Sequence, residues 1–407
     1  MGGNETHIEI LGTESLGVRG LSCVVEAEDY KIVIDPGLAL GYNRHGLLPH
    51  PAQVAVGERV RRKIVAALEG ATDVVLSHFH GDHVPLPDAN PYQLKAQQVA
   101  PLCQRVRIWA KGPAGLSHNM MCRRESLRKV LGRDLPNAEG RSYGPMAFSP
   151  PVPHGEAHSS RGMVMMTRIE DEDGVFVHAS DIQLLNEEAI SLILAWRPNV
   201  VLVAGPPLYL PWLSSRQRRT AWDNALRLAR AVDTLILDHH LLRCEEGLSW
   251  LGRLSSKTGH RVICAADFMG RPRRLLEARR MQLYEEMPVP DGWHEAYARG
   301  NADTKAYRGH RRAHEASHLD DLRPGMILWG RVTSIADFGA FVDVGVGRDG
   351  LVHISELRAR WVDKVSDVVS VGDEVRVKVL SVDPEKGQIG LTMKGVEQFG
   401  AREHRNP

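Results

Sequence analysis

The stretch Asp73-Val-Val-Leu-Ser-His-Phe-His-Gly-Asp-His83 is the most informative part of this 407-residue chain. Its first five residues predict a short buried strand, and the polar residues follow directly. On a loop that leaves a strand, His78 and His80 can point to one side while Asp82 and His83 turn to the other. Zinc in proteins is bound by imidazole nitrogens and carboxylate oxygens. One loop of this kind can therefore serve two adjacent metal ions.

Strands and helices alternate on both sides of this loop. The periodicity predicts strands at 7–11, 21–26, 31–35, 73–77, 175–178, 199–204 and 234–237, and helices at 60–68, 186–195 and 216–232. Polar residues follow several of the buried strands, as at Asp35, Asp181 and Asp238-His239-His240. Open α/β sheets place their chemistry at the carboxyl ends of strands. We therefore expect these polar residues to converge at one edge of the fold.

The order of these motifs resembles the metallo-β-lactamase superfamily over roughly residues 7–270. The shared features are Asp35, the His-x-His-x-Asp-His loop, Pro153-His154-Gly155, Ser180-Asp181 and Asp238-His239-His240. The residues of these motifs are most similar to those of an uncharacterised prokaryotic branch of that superfamily. The resemblance implies an α/β (α+β) fold, a four-layer αβ/βα sandwich with a dinuclear zinc site at its upper edge.

The resemblance also implies a role for each matching residue. One metal ion is expected on His78, His80 and His154, the other on Asp82, His83 and a terminal histidine, with Asp181 bridging the two. Asp35 matches a position that orients a ligand histidine from behind. Asp82 is in addition the candidate catalytic residue, which orients the attacking hydroxide or accepts its proton. Two Zn2+ are the expected cofactors, with Mn2+ or Fe as alternatives for the same donors.

Two ligand positions stay open between neighbouring histidines. His158 and His154 are alternatives for the same ligand position, and the Pro-His-Gly motif at the end of an extended run favours His154. His239 competes with His240 for the terminal position. Asp238 is the first residue past the strand, which favours His239 as the ligand and leaves His240 to support a ligand or contact substrate.

Beyond residue 322 the pattern changes to short β-rich runs between Gly- and Asp-containing turns. Strands are predicted at 326–332, 339–344, 350–353, 374–382 and 388–393, which suits a small closed barrel. Gly-Arg-Val-Thr-Ser-Ile-Ala-Asp-Phe-Gly-Ala-Phe-Val at 330–342 resembles the ribosomal S1-type RNA-binding domain, as do the runs at 350–355 and 389–394. The resemblance implies an all-β, five-stranded OB-fold barrel that binds single-stranded RNA.

Three rings of this domain are candidates for stacking on unpaired bases. Phe338 and Phe341 flank a Gly-Ala turn, and His353 is expected on a neighbouring strand. The alternative for either phenylalanine is a place in the barrel core. The candidate phosphate contacts are the basic residues Arg331, Arg348, Arg376, Lys378 and Lys394. Basic and acidic residues balance in this domain, so binding by it alone should be modest and sensitive to salt.

Composition excludes several classes of protein. Lys and Arg number 51 against 50 Asp and Glu, a net charge of +1, so binding through bulk positive charge is excluded. The sequence has no apolar run long enough to predict a membrane span. The five cysteines show no C-x-x-C spacing, which favours a reducing, cytoplasmic setting over a disulfide framework.

These patterns predict four segments and one leading function. The segments are a metal-dependent hydrolase domain at 1–290 whose last part, 272–286, is a basic helix, a polar linker at 291–321, the S1-type domain at 322–396 and a tail at 397–407. A two-metal site joined to an RNA module predicts a zinc-dependent phosphodiesterase or nuclease that acts on RNA. The ribosome and the RNA-processing machinery are candidate partners.

Two other functions fit the same features. One is a metallo-hydrolase of a small ester, thioester, lactone or cyclic phosphodiester, with the S1-type domain serving localisation. The other is a non-catalytic RNA-binding protein with a structural metal. The oligomeric state stays open.

Overall fold

The computed structural model describes residues 6–157, 160–307, 319, 322–358, 361–383 and 386–396. The chain divides into two compact units, Met1–Arg308 and Gly309–Pro407. This division falls inside the predicted linker at 291–321. Residues 308–318, 320–321 and the predicted tail at 397–407 lie outside the described residues.

The first unit is built on two sheets of unequal size. The first sheet consists of β1 (His7–Gly12), β2 (Ser22–Ala27), β3 (Tyr30–Ile34), β4 (Asp73–Leu76) and β5 (Arg107–Ala110), adjacent in that order. Later strands are β6 (Ser142–Tyr143), β7 (Met146–Phe148), β8 (Val152–Pro153), β9 (Met163–Val164), β10 (Thr167–Asp171), β11 (Gly174–Ser180), β12 (Val200–Ala204), β13 (Thr234–Asp238) and β14 (Arg261–Ile263). The second sheet has the order β14-β13-β12-β11-β10-β7-β6, while β8 and β9 form a separate pair.

Nine described helices accompany these sheets. They are α1 (Pro51–Glu69), α2 (Ala96–Cys103), α3 (His118–Leu131), α4 (Glu187–Ala195), α5 (Ser215–Ala229), α6 (Glu246–Thr258), α7 (Ala265–Phe268), α8 (Arg280–Glu286) and α9 (Trp293–Ala298). Short 3-10 turns occur at Glu14–Leu16, His239–Arg243 and Lys305–Tyr307. Among the helices that the structure describes, none is both long enough and apolar enough to cross a membrane.

Alternation along the strands divides the first unit into layers. In β2, Val25 packs with Val177 and Val201 of the other sheet, whereas its neighbour Val24 packs with α1, α2 and α3 on the opposite face. Residues of α4, α5 and α6 join the core of the second sheet. The order helix, sheet, sheet, helix confirms the predicted αβ/βα sandwich.

Parallel strands bring the predicted polar residues to one edge. Strands β3, β4 and β5 run parallel to one another, and so do β11 to β14. Their carboxyl ends lead directly into Asp35, Ser77, Asp181 and His239. The predicted polar residues therefore lie at the edge where the parallel strands of both sheets end.

Two helix predictions differ from the structure. Helix α1 starts at Pro51, well before the predicted residue 60, because proline suits the first position and His50 Nδ1 accepts the Ala52 amide. The predicted basic helix at 272–286 is wrong over 272–279, since only Arg280–Glu286 is helical. The earlier part is held by tertiary contacts: the Arg274 amide donates to Ser15 O at 2.6 Å, and Arg273 Nε donates to Asp267 at 2.7 Å.

The second unit is a closed barrel of five strands. They are β15 (Ile327–Ala336), β16 (Gly339–Asp343), β17 (Asp349–His353), β18 (Glu374–Asp383) and β19 (Gln388–Thr392), in the cyclic order β15-β16-β17-β19-β18. Alternate residues such as Val342, Val352 and Val377 fill its core. Gly339 is required because a Cβ there would collide with the backbone of β17. The predicted OB-fold barrel is confirmed.

Candidate metal centre

Three residues that end parallel strands have unusual backbone angles. Asp35, Ser180 and His239 have φ of 47°, 53° and 50°, a left-handed conformation that favours glycine. Such strain persists only where surrounding contacts impose it, and it concentrates at functional sites. The backbone is thus bent at the points where it delivers the predicted ligands.

Asp181 lies at the centre of the cluster. Its Oδ2 is surrounded by the Nε2 atoms of five histidines: His154 at 3.1 Å, His240 at 3.2 Å, His83 at 3.3 Å, His239 at 3.4 Å and His78 at 3.8 Å. The other oxygen, Oδ1, is buried and has no hydrogen-bond partner in the described part of the chain. A buried carboxylate oxygen normally has one.

The ligand atoms fall into overlapping groups in which all members lie within 4.8 Å of one another. These groups are His78, His80, His154 and Asp181; Asp35, His78 and His83; Asp82, His83 and His239; and Asp181, His239 and His240. The structure thus brings together every residue that the sequence assigned to the two metal ions. His158 lies outside the described residues.

This arrangement suits divalent cations better than hydrogen bonds alone. One carboxylate oxygen offers two lone pairs, so it cannot accept protons from five imidazoles. Likewise, His78 Nε2 is 3.1 Å from His80 Nδ1, and His83 Nε2 is 3.4 Å from His239 Nε2. Nitrogen lone pairs that converge in this way are satisfied by metal ions, and the donor set fits zinc.

Burial and neighbouring charges set the protonation of the metal-free cluster. Burial, with His83 and His154 nearby, lowers the pKa of His78 well below its usual range and that of His80 to about 3. Burial also opposes protonation of His239, but Asp181 and Glu14 outweigh it and raise its pKa to about 9. His78 and His80 are therefore neutral at pH 7 and present lone pairs.

Asp35 supports the cluster from behind, where the sequence placed it. Its Oδ2 lies 2.8 Å from His83 Nδ1, and its Oδ1 accepts the Ser77 amide at 2.8 Å. The Ser77 hydroxyl also donates to Asp35, at 2.5 Å. A carboxylate on Nδ1 fixes the ring so that Nε2 faces the cluster.

Glu14 and Arg243 belong to the site and were missed by the sequence analysis. Glu14 Oε2 is 2.6 Å from His239 Nδ1, so it holds His239 as Asp35 holds His83. Arg243 Nε donates to Glu14 at 2.5 Å, and its Nη2 lies 3.3 Å from Asp82 Oδ2. A signal for Arg243 was available, because it follows His239 by one turn. Glu14 is 225 positions away from His239 and gave none.

His240 reaches the cluster as well as His239. Its Nε2 lies 3.2 Å from Asp181 Oδ2, and its Nδ1 lies 3.3 Å from the Tyr209 hydroxyl. Both histidines that competed for the terminal position therefore direct Nε2 toward Asp181. His239 is the one that also approaches Asp82, at 3.6 Å.

The cluster opens to solvent on one side. The side chains of Asp181, His83 and His239 are at most 2% exposed, whereas that of Asp82 is 17% exposed and His80 is half-buried. A substrate would therefore approach along His80 and Asp82.

The second unit carries the candidate RNA-binding rings on one face. Phe338 is 51% exposed and Phe341 half-buried, and their ring centroids are 6.1 Å apart in an edge-to-face arrangement. His353 is exposed and lies opposite Gly339 in the β16–β17 register. Neither phenylalanine belongs to the barrel core. The three rings are thus together on β16, β17 and the turn before β16.

The candidate phosphate contacts are more dispersed. Arg376 and Lys378 lie on β18, which is separated from β16 and β17 by β15 and β19. Arg331 is the register partner of Asp343 on β16 and of residue 374 on β18, and Lys394 Nζ is 3.4 Å from Glu356. Arg348 is exposed beside Gly387. The structure gathers the rings but not the basic residues.

Comparison with known proteins gives matches to both units. The S1 RNA binding domain family matches residues 321–394. A UPF0282 protein of Methanosarcina mazei is 53% identical over 301 residues, which cover 74% of this chain and 99% of that relative. Many further relatives also match.

Two solved structures are similar to parts of the chain. The metal-dependent hydrolase Tm1679 of the beta-lactamase superfamily covers 64% of this chain and 96% of its own, with a TM-score of 0.40 and 14% identity. GSP13 of Bacillus subtilis covers 21% of this chain and 66% of its own, with a TM-score of 0.19 and 40% identity.

Proposed function

We propose that this chain, which belongs to the UPF0282 family, is a dinuclear zinc hydrolase that cleaves phosphodiester bonds in RNA. One observation carries the proposal: histidines and aspartates converge on Asp181 in a buried cluster that is open at His80 and Asp82. The same chain carries an S1 RNA binding domain.

Each residue of the cluster has a role in this proposal. In it His78, His80 and His154 would hold one metal ion and Asp82, His83 and His239 would hold the other, with Asp181 as a ligand common to both. A pair of divalent cations supplies a hydroxide at neutral pH and stabilises charge on the substrate. Asp82 is the carboxylate at the open side, so it orients the attacking water or accepts its proton. Asp35 and Glu14 fix the rings of His83 and His239.

The number of donors argues against a purely structural metal. A structural zinc is closed by four ligands and leaves no position for substrate. Here more than four donors converge, and one side is accessible to solvent. This geometry favours hydrolysis over a non-catalytic RNA-binding protein.

The second unit supports RNA as the substrate. Exposed rings on a barrel surface stack on unpaired bases, and each stack is worth about 1–3 kcal/mol. Phe338, Phe341 and His353 form such a surface. In the proposal this unit holds single-stranded RNA while the metal centre cleaves it.

One observation favours a second candidate function. An alignment of 301 residues accounts for 99% of the Methanosarcina mazei relative, a length close to that of the first unit alone. In this candidate function the metal centre works without the RNA module, and its substrate is a small ester, thioester, lactone or cyclic phosphodiester. The second unit would then serve localisation.

The deciding experiment combines metal analysis with a cleavage assay on the full chain. We expect two metal ions per chain and metal-dependent cleavage of single-stranded RNA. His80→Ala and Asp82→Asn should abolish cleavage, by about a thousandfold or more, without changing RNA affinity. His45→Ala, an exposed histidine, is the matched control.

Three results would contradict the proposal in different ways. An absence of cleavage across a panel of RNAs and DNAs would exclude the nuclease. Cleavage of small esters or cyclic phosphodiesters alone would favour the second candidate. A content of zero or one metal ion per chain would favour a non-catalytic protein.

A further inference from the structure

Beside the metal centre lies a second group of residues, which the proposed function does not use. We name it the tyrosine clamp and define it as Tyr209, Arg44 and Arg243. The guanidinium carbons of Arg44 and Arg243 lie 5.3 Å and 5.8 Å from the centroid of the Tyr209 ring. Cations at this distance attract an aromatic face. Arg44 Nη2 also donates to the backbone carbonyl of Arg243 at 2.5 Å, which holds the Arg44 side chain beside the same segment.

The clamp directs the Tyr209 hydroxyl toward the metal centre. Arg243 Nη1 lies 3.2 Å from this oxygen, and His240 Nδ1 lies 3.3 Å from it. Arginine has only donors, so the phenol oxygen accepts from Arg243. The direction of the hydrogen bond between Tyr209 and His240 depends on which nitrogen of His240 carries the proton.

His240 donates because its other nitrogen faces the cluster. Its Nε2 is 3.2 Å from Asp181 Oδ2, which already faces His154, His83 and His239 within 3.4 Å. His240 also belongs, with Asp181 and His239, to a group whose ligand atoms all lie within 4.8 Å of one another. With a metal ion held by that group, His240 Nε2 would present its lone pair and the proton would sit on Nδ1. Tyr209 then accepts two hydrogen bonds, and its own hydroxyl hydrogen remains available to a substrate.

The surroundings of the clamp carry an excess of positive charge. Arg19, Arg44 and Arg280 all approach the single carboxylate of Glu277, and Arg243 is paired with Glu14. Arg243 also lies 3.3 Å from Asp82, so four arginines face three carboxylates in a largely buried region. An excess of positive charge attracts an anion.

We propose that Tyr209 donates a hydrogen bond to a non-bridging oxygen of a phosphoryl group held at the metal centre. Arg44 and Arg243 are positioning residues that fix the ring and supply the positive field. This inference rests on the proposed function and narrows it, because an anionic phosphodiester matches the clamp and a neutral ester or lactone does not.

The test uses Tyr209→Phe in the full, metal-loaded chain with inorganic phosphate as the probe. Calorimetric titration should show phosphate affinity about three- to tenfold below wild type, the loss expected for one hydrogen bond. The metal content and the melting temperature should not change. Tyr143→Phe, which removes a hydroxyl from the exposed edge strand β6, should bind phosphate like wild type.

Arg44→Gln provides a second, independent variant. It should weaken phosphate binding and also flatten its dependence on ionic strength, because a positive charge beside the anion has been removed. A merely structural role for Arg44 would leave the salt dependence unchanged, and that result would overturn its assigned role.

Two results would overturn the assignment of Tyr209. One is equal phosphate affinity in wild type and Tyr209→Phe, and the other is no phosphate binding by wild type that carries its metal ions. If phosphate binding depends on Tyr209 but no nucleic acid is cleaved, the nuclease proposal fails and the inference stands.

Discussion

The metal centre and the barrel face contrast in how their side chains are held. In the metal centre most candidate residues are buried, and several rings have a second contact, such as His83 with Asp35 and His239 with Glu14. On the barrel, Phe338 and His353 are exposed. Buried, doubly fixed groups act together, so loss of one disables the site. Exposed groups act separately, and each loss is partial.

The largest effect on stability should come from Glu277, a buried charge beside the metal centre. Burial opposes its ionisation, but Arg19 outweighs burial and holds its pKa at about 2 instead of 4.5. The lowered pKa corresponds to roughly 3 kcal/mol of stability, fully present above pH 4.5 and lost as the pH falls through 2. Glu277→Gln should therefore lower the unfolding free energy of the first unit by about this amount at pH 7.

Urea unfolding at pH 7, 4.5 and 3 measures this effect. The difference between wild type and Glu277→Gln should shrink below pH 4.5, because protonation removes the same charge from wild type. Glu245→Gln breaks an exposed pair with Arg279 and is the matched control, with a loss below about 1 kcal/mol. A Glu277→Gln difference that stays constant with pH would show that packing, not charge, is responsible.

A smaller effect is expected from Glu14, which acts on the metal through His239. Glu14→Gln should lower metal affinity by about 10- to 100-fold, the usual cost of losing a carboxylate that orients a ligand histidine. Competition with a chelator measures this, and RNA affinity should stay unchanged. Glu26→Gln, on the exposed side of β2, is the control. Wild-type metal affinity in Glu14→Gln would mean that the charge of Glu14 does not act on the metal through His239.

The smallest effect is expected on the barrel face. Phe338→Ala should weaken binding of a single-stranded RNA by about tenfold, because one stacking ring is lost from an exposed position. Fluorescence anisotropy measures the affinity, and metal content and stability should not change. Val371→Ala removes another exposed apolar side chain of this unit and is the control. A complete loss of RNA binding would mean that the barrel face is as interdependent as the metal centre.

Local patterns in the sequence were sufficient for much of the architecture. Short apolar runs predicted the strands that end at Asp35, Asp181 and Asp238, and the chain order of these ends predicted their convergence. Turns and alternation predicted the barrel. These predictions agree with the structure because strand periodicity and turn residues are local properties, which can be recognised within a few residues of sequence.

The helix predicted from local propensity at 272–279 does not form, because contacts with distant residues are stronger than that propensity. The arginine-rich segment at 272–279 looks helical, but its backbone and side chains bond to Ser15 and Asp267 instead. Helical preference amounts to tenths of a kcal/mol per residue, so such contacts override it.

The amino-acid sequence was sufficient for the fold of both units, for the ligand candidates and for Asp35 as a carboxylate that orients a ligand histidine, because each rests on a motif or a strand end. Only the tertiary structure decided that Glu14 holds His239, that both terminal histidines face Asp181, and that Tyr209 is clamped beside them. The reason is physical: these contacts join segments far apart in the chain, and the burial that gives them their strength exists only after both sheets have packed.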